Sequence, residues 1–354
     1  MDDELDKRRR RLSVNRAGEQ PSGKLPQGRR PSVAGVELSG EGAFTSMEYD
    51  VVQSRKLSLS GCRTVTWAAF TVPGADPGRV AKTNQDSYCV HEQLIPGKLG
   101  FFGVFDGHGF HGQKVSQYIA EHLPKTLQES GAALAKGEFD EVALSTFNEV
   151  NTEIITKGSI DTEMSGSTCV TALLEKDTFT LFNVGDSRAI LGSVDAISGA
   201  VRSANLCVEH KPDVATEAER IVSHGGRIQS FMHQGEAIGP KRVWIMEEDI
   251  PGLCMTRAFG DKLARTVGVT SDPEVTSRRL TAEDKYLVLC SDGITEFITD
   301  DELVKMIHAG VVEESGDYTP QQACEEIMQE ARKRWKEEED QVIDDCTILV
   351  LFIA

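Results

Sequence analysis

FFGVFDGHG, residues 101–109, is an apolar, aromatic-rich run that stops at an aspartate followed by glycine. A run of this composition reads as a buried strand. The Asp-Gly at its end delivers a carboxylate to the rim of a sheet, where glycine lets the backbone turn and a ligand approach closely. Working outward, a β-like run again ends or begins at an aspartate, usually beside a glycine, in FTLFNVGDSRA (179–189), KYLVLCSDGITE (285–296) and QVIDDCTILVLFI (341–353). One Asp-Gly after a strand is an ordinary turn. Four strand-end aspartates from distant parts of the chain point to one shared site. Crowded carboxylates repel and raise one another's pKa, so a cluster that stays ionised needs cations. A donor set made only of oxygens selects hard ions, Mg²⁺ or Mn²⁺.

Composition narrows the class. The chain has 354 residues and a formal net charge of -18, an acidic balance that excludes nucleic acid as the main partner of a folded body, because phosphate backbones need a basic face. The eight cysteines include no CxxC pair, and several lie in apolar runs such as LVLC and STCV. They read as buried thiols of a reducing compartment rather than zinc ligands or a disulfide frame. No apolar run approaches membrane-spanning length, and the N-terminus MDDELDKRRRR has no apolar targeting stretch. Cytoplasmic or nuclear location, no membrane association and a monomer are expected.

Residues 1–60 are rich in Arg, Ser, Gly and Pro, with eleven basic residues against nine acidic ones. They read as a disordered regulatory tail ahead of a folded domain at 61–354. Three copies of one theme lie in this tail, RRLSV at Ser13, RRPSV at Ser32 and RKLSL at Ser58. Each pairs two basic residues with a serine, the form a basophilic kinase would read. Beyond the tail, strand-like runs (RTVTWAAF, NQDSYCV, LGFFGVF) precede helical stretches at 112–129 and about 139–156. Further strands follow (STCVTALLE, FTLFNVG, SRAILGSV), then a helix at 216–223 and late helices near 300–309 and 320–338, with a mobile loop expected at 310–319. Residues 227–254 read as polar and irregular. Two groups of strands, each followed by helices, predict an α+β fold of two packed sheets with helices on the outer faces.

Gly107–Gly112, GHGFHG, matches the G-x-G-x-x-G of a dinucleotide turn. The fingerprint also needs a second parallel strand ending in an acid about 20 residues on. The stretch LQESGAALAKGE there has no strand-like run, and Asp106 would face a pyrophosphate with the wrong charge. The oxidoreductase reading is set aside.

VFDGHG, GSTCVTALL, NVGDSRA, KPD…EAERI…GGRI, TRAFGD, SDGITEF and the terminal DDCT together resemble, in order, the motifs of the metal-dependent type 2C serine/threonine protein phosphatases. The resemblance spans about residues 63–354 and leaves the tail uncovered. It implies two antiparallel sheets flanked by antiparallel helices, hydrolysis of phosphoserine and phosphothreonine on proteins by a metal-bound hydroxide, and two Mg²⁺ or Mn²⁺ ions with a weaker third. It also implies roles. Asp106 would bridge two ions, with the Gly107 carbonyl on one of them; Asp292 and Asp344 would complete the other; Asp186, Asp292 and Glu296 match the third position. Asp345 stands beside Asp344 and could be mistaken for it. Asp86 would organise metal-bound water, Gln85 stands where many relatives have glutamate, and Arg79 or Lys82 would contact phosphate. His108, just beyond the bridging Asp-Gly, would protonate the leaving oxygen, with His111 its nearest rival. Residues 225–254 match a substrate-selecting flap, and Arg257 with Asp261 would form a structural ion pair or support the flap. A pseudophosphatase scaffold is the competing reading, disfavoured by the near-complete acid set.

Overall fold

The strand Leu99–Phe105 is buried along its whole length, and its side chains explain why the apolar runs are continuous rather than alternating. Leu99, Phe101 and Phe105 face a helical layer, whereas Phe102 and Val104 face a second sheet. A strand with period-two side chains is apolar throughout only when both faces are covered. Cys346–Ile353 does the same on the other sheet, sending Ile348 and Val350 to helices and Leu349 and Leu351 to the space between the sheets. The computed structural model that shows this describes residues 36–37, 43–45, 50–59, 61, 63–76, 80–314, 317–339 and 342–354. Ser13, Ser32 and Arg79 lie outside the described residues.

The first sheet runs Val36–Glu37, Ala43–Thr45, Ser87–Ile95, Leu99–Phe105, Cys169–Glu175, Thr178–Val184, Glu274–Arg279; the second runs Val201–Asn205, Arg188–Val194, Asp284–Cys290, Cys346–Ile353, Val65–Val72, Asp50–Leu57. Every pairing within them is antiparallel. This excludes the parallel βαβ unit that a dinucleotide turn would need. Trp67, Tyr88, Phe102, Phe179 and Leu349 fill the layer between the sheets. Truncating a buried aromatic such as Phe102 to alanine costs about 3–5 kcal/mol. Helices Gly112–Glu129 and Phe139–Thr156 cover the first sheet, and Asp300–Glu313 and Pro320–Glu338 cover the second. The last two begin with capping boxes, Thr299 with Glu302 and Thr319 with Gln322, which satisfy donors that a helix start otherwise leaves open. The expected α+β sandwich is present.

Three expectations change. Folded structure starts before the boundary expected at residue 60, because Asp50–Leu57 is the edge strand of the second sheet and Val52, Leu57 and Leu59 join the inter-sheet core. Ser58 therefore lies between two buried leucines, with Arg55 bonded to Glu92 at 3.1 Å. The segment 227–254 is not irregular: Gly226–His233, Glu236–Ile245 and Pro251–Leu253 form a three-stranded sheet. Its inner residues Val243 and Leu253 pack with Ile221 and Val267, while its polar outer face hid the alternation. The loop expected at 310–319 is shorter, since the helix continues to Glu313 and Gly310 lies inside it against Tyr318.

Candidate active site

The antiparallel register gathers the strand-end acids on one rim. Ser87 pairs with Phe105, so Asp86 and Asp106 face each other one residue beyond the strands. On the second sheet Arg188 pairs with Cys290 and Cys290 with Ile348, which carries Asp186, Asp292 and Asp344 toward the same edge. A short three-stranded sheet of Gly107–His108, Gly166–Ser167 and Phe259–Gly260 stitches three separate motifs beside them.

Asp106 is held through its backbone, its N–H donating to Thr168 Oγ1 at 3.0 Å and its carbonyl accepting from Thr168 N at 2.8 Å. Burial, followed by the charges of Asp86, Asp292, Asp344 and Asp186, pushes its carboxyl well above the usual range. Asp292 opens the short helix Asp292–Thr295 and is pushed up in the same way, by burial and then by Asp186 and Asp344, with Glu296 adding to the rise. Glu296 itself is exposed one turn on. Asp86 accepts from Ser291 Oγ at 2.7 Å, and burial with the charges of Asp345 and Asp344 raises it to about 7.

Asp344 and Asp345 separate cleanly. Asp345 is buried and accepts from the backbone N–H groups of Gly74 at 2.6 Å and Gln85 at 3.0 Å, so its oxygens tie two loops together. Asp344 remains half-open to the rim, with Lys82 Nζ at 2.8 Å. The ammonium expected to contact phosphate thus sits between Asp344 and Asp345, the latter at 3.4 Å. Gln85 donates from Nε2 to the Gly109 carbonyl at 2.5 Å and so braces the DGHG turn. Gly107 is required there for room, because a Cβ would strike the Gln85 and Gly112 carbonyls.

His108 is buried, and its Nε2 lies 2.6 Å from Asp261 Oδ2. Burial alone would lower its pKa, but the Asp261 carboxylate outweighs burial and the net shift is upward. Nδ1 is buried without a protein partner. Of the two roles expected for Arg257 and Asp261, the ion pair between them is not formed: Arg257 forks onto Glu217 of the helix Ala215–Ser223 at 2.7 Å, and Asp261 goes to His108. His111 stands at the start of the next helix, its backbone N–H donating to Ser165 Oγ at 3.1 Å and its carbonyl accepting from the Lys114 and Val115 N–H groups.

Asp186 accepts Lys211 Nζ at 3.1 Å on Oδ2, while its buried Oδ1 has no partner. Lys211 escaped the sequence reading, although its motif KPD was in view, because nothing in that motif says where the ammonium points. Ser291 and Thr168 escaped for the same reason. The rim fits hard divalent ions in its all-oxygen donor set, in the charges that push Asp106 and Asp292 upward, and in the orphaned Asp186 oxygen. Among the described residues no three His, Cys, Asp or Glu side chains stand, as placed, in a group that could hold a metal ion. Lysines hold the two outer acids. Among the described residues no helix is long and apolar enough to cross a membrane.

Comparison with known proteins agrees. Residues 80–340 match the family model described as Protein phosphatase 2C. The chain is 34% identical over 256 residues to "Probable protein phosphatase 2C 64" of Oryza sativa subsp. japonica, covering 71% of this chain and 58% of that protein. It is 33% identical over 304 residues to "Probable protein phosphatase 2C 52" of Arabidopsis thaliana, covering 76% and 63% respectively. The chain thus spans about three fifths of the length of these relatives. The crystal structure of serine-threonine phosphatase 2C from Toxoplasma gondii superposes with a TM-score of 0.68 at 22% identity, over 86% of this chain and 99% of that one, a likeness of fold.

Proposed function

The chain belongs to the protein phosphatase 2C family, whose members are metal-dependent protein serine/threonine phosphatases, and we propose that it hydrolyses phosphoserine and phosphothreonine on protein substrates. The observation that carries this reading is the rim itself, where the antiparallel registers of two different sheets bring Asp86 and Asp106 to the same edge as Asp186, Asp292 and Asp344. Asp106, the Gly107 carbonyl, Asp292 and Asp344 would hold two Mg²⁺ or Mn²⁺ ions, and Asp186, Asp292 and Glu296 a weaker third. When bound, such ions supply an acidified water at neutral pH and offset charge on the phosphoryl group.

The remaining work falls to side chains. Asp86, held by Ser291 and facing Asp106 across the strand ends, is placed to orient water at the rim. Gln85 contributes no charge and keeps the DGHG turn in place through Gly109. His108, its Nε2–H fixed on Asp261, has Nδ1 uncommitted within the protein and is the donor to the leaving serine or threonine oxygen. Lys82, or Arg79 from the same segment, would meet the phosphate.

The test is hydrolysis of a phosphothreonine peptide with and without Mn²⁺ or Mg²⁺. Metal-dependent turnover that disappears in Asp106→Asn and Asp292→Asn is expected. A folded protein with no turnover under either condition would establish the scaffold reading instead. A basophilic kinase acting on Ser13 and Ser32, a cytoplasmic or nuclear location and a monomeric state complete the proposal. The kinase arm would be overturned if neither serine were modified in cells.

A further inference from the structure

Lys211 is a built part of the rim. Residues 185 and 210 exchange backbone and ring hydrogen bonds, His210 N–H donating to the Gly185 carbonyl at 2.9 Å and Gly185 N–H to His210 Nδ1 at 3.1 Å. The His210 carbonyl in turn accepts from Thr256 N at 2.8 Å and from its hydroxyl at 3.0 Å. This clamp sets the residues that follow, Asp186 and Lys211, side by side. Their 3.1 Å ion pair joins a carboxylate 3% exposed to an ammonium 35% exposed. One end of the pair is fixed in the rim, and the other is a flexible stem reaching in from solvent. Only Oδ2 is engaged; Oδ1 is buried and has no hydrogen-bond partner.

We propose that Lys211 is an internal competitor of the accessory divalent ion. Its ammonium neutralises Asp186 when that ion is absent and must leave, or share the carboxylate, when the ion binds. The inference rests on the metal-site reading above and goes beyond it in assigning Lys211 a regulatory role toward metal affinity. The physical reason is simple. A fixed carboxylate near Asp292 and Glu296 attracts any cation, and a tethered ammonium a few ångströms away both supplies the missing charge and repels a second cation. The accessory position is then weak because its counter-charge is already in the chain, not because it lacks ligands.

The experiment is Mn²⁺ titration of the full chain by calorimetry, with Mn²⁺ electron paramagnetic resonance as a second readout of stoichiometry. Lys211→Met is compared with wild type and with Lys241→Met. Lys241 is an exposed flap lysine paired with Asp213 at 3.0 Å, so that control changes the net charge equally without touching the rim. Lys211→Met is expected to tighten the weakest Mn²⁺ step at least about tenfold, equivalent to about 1.4 kcal/mol, and to lower the melting temperature in chelator. Lys241→Met should do neither, and adding Asp186→Asn to Lys211→Met should abolish the tightened step. Unchanged or weaker Mn²⁺ affinity in a folded Lys211→Met protein would overturn the proposal. Absence of any Mn²⁺ binding by the wild type would instead overturn the metal-site reading, so the two failures are distinguishable.

Discussion

Two groups of acids lie below the surface within one fold and are treated oppositely. Under the flap, Glu217 accepts Arg220 at 2.9 and 2.7 Å, Arg257 at 2.7 Å and the Thr256 hydroxyl at 2.6 Å. Burial works against its charge, but those partners win and hold the carboxyl far below the usual range. At the rim, Asp86, Asp106 and Asp292 are pushed above it by burial and by the charges of neighbouring carboxylates, Asp344 among them in each case. The difference teaches which cluster is complete. Glu217 has its cations built in as guanidiniums and serves as a structural knot joining the helix Ala215–Ser223 to the TRAFGD segment. The rim has too little positive charge, and that deficit is what makes it a site.

The sharpest way to break this contrast is to neutralise one acid from each cluster. Asp292→Asn should reduce phosphopeptide turnover by about 10³-fold or more, yet leave the ion-free protein as stable as wild type or more so. Glu217→Gln should lower stability by about 3–5 kcal/mol, because it strands two arginines around a neutral amide. Urea denaturation in chelator, beside turnover, checks both; losses of stability in both variants would erase the distinction.

His108 with Asp261 stands between the two extremes, a buried pair whose histidine keeps one nitrogen uncommitted within the protein. His108→Gln is expected to slow hydrolysis of a phosphothreonine peptide by about 10²-fold and of para-nitrophenyl phosphate much less, since that leaving group needs no proton. Gly166→Ala should reproduce the pattern more weakly and destabilise by about 1–3 kcal/mol, because a Cβ there would strike both Asp261 Oδ2 and His108 Nε2. Equal losses on both substrates would remove His108 from proton transfer.

The pH response sharpens the comparison further. Asp86 rises from 3.8 unfolded to about 7 folded, so between those values the native state binds a proton that the unfolded chain releases. By linkage the ion-free protein should lose stability as pH climbs through that window. Glu217 acts in the other direction: its contribution is present above the ordinary glutamate value and fades as pH falls toward its depressed one. Melting temperatures in chelator from about pH 4 to about pH 7 should therefore decline less in Asp86→Asn than in wild type. An unchanged slope would dissociate Asp86 from the rim's electrostatics.

The smallest effect concerns the three serine motifs. With Leu57 and Leu59 buried and Arg55 bonded to Glu92, Ser58 cannot enter a kinase cleft without releasing the edge strand. Incubation of the native protein with a basophilic kinase should modify Ser13 and Ser32 and spare Ser58. Rapid modification of Ser58 would show that the edge strand opens readily.

Much of this was legible in residue order. Continuous apolar runs announced doubly covered strands, and strand-end Asp-Gly announced a carboxylate rim, because strand period and turn chemistry are local. Other readings failed for the same physical reason. The alternation of the flap strands was masked by a polar outer face, and RKLSL looked like its two sister motifs although its leucines belong to the core. The resemblance left Arg257 and Asp261 as an ion pair or as flap support, and only the fold shows Arg257 on Glu217 and Asp261 on His108.

What the sequence determined by itself, then, was the sandwich and the four strand-end aspartates that meet at its rim, Asp106, Asp186, Asp292 and Asp344, since both follow from side-chain type and spacing along one strand at a time. Only the tertiary structure decided the pairing of charges: Asp345 on the Gly74 and Gln85 amides, Lys82 on Asp344, Lys211 on Asp186 and Asp261 on His108. Such pairs join residues as far as 271 positions apart, and Coulomb energy depends on the distance across the fold, to which sequence separation is no guide.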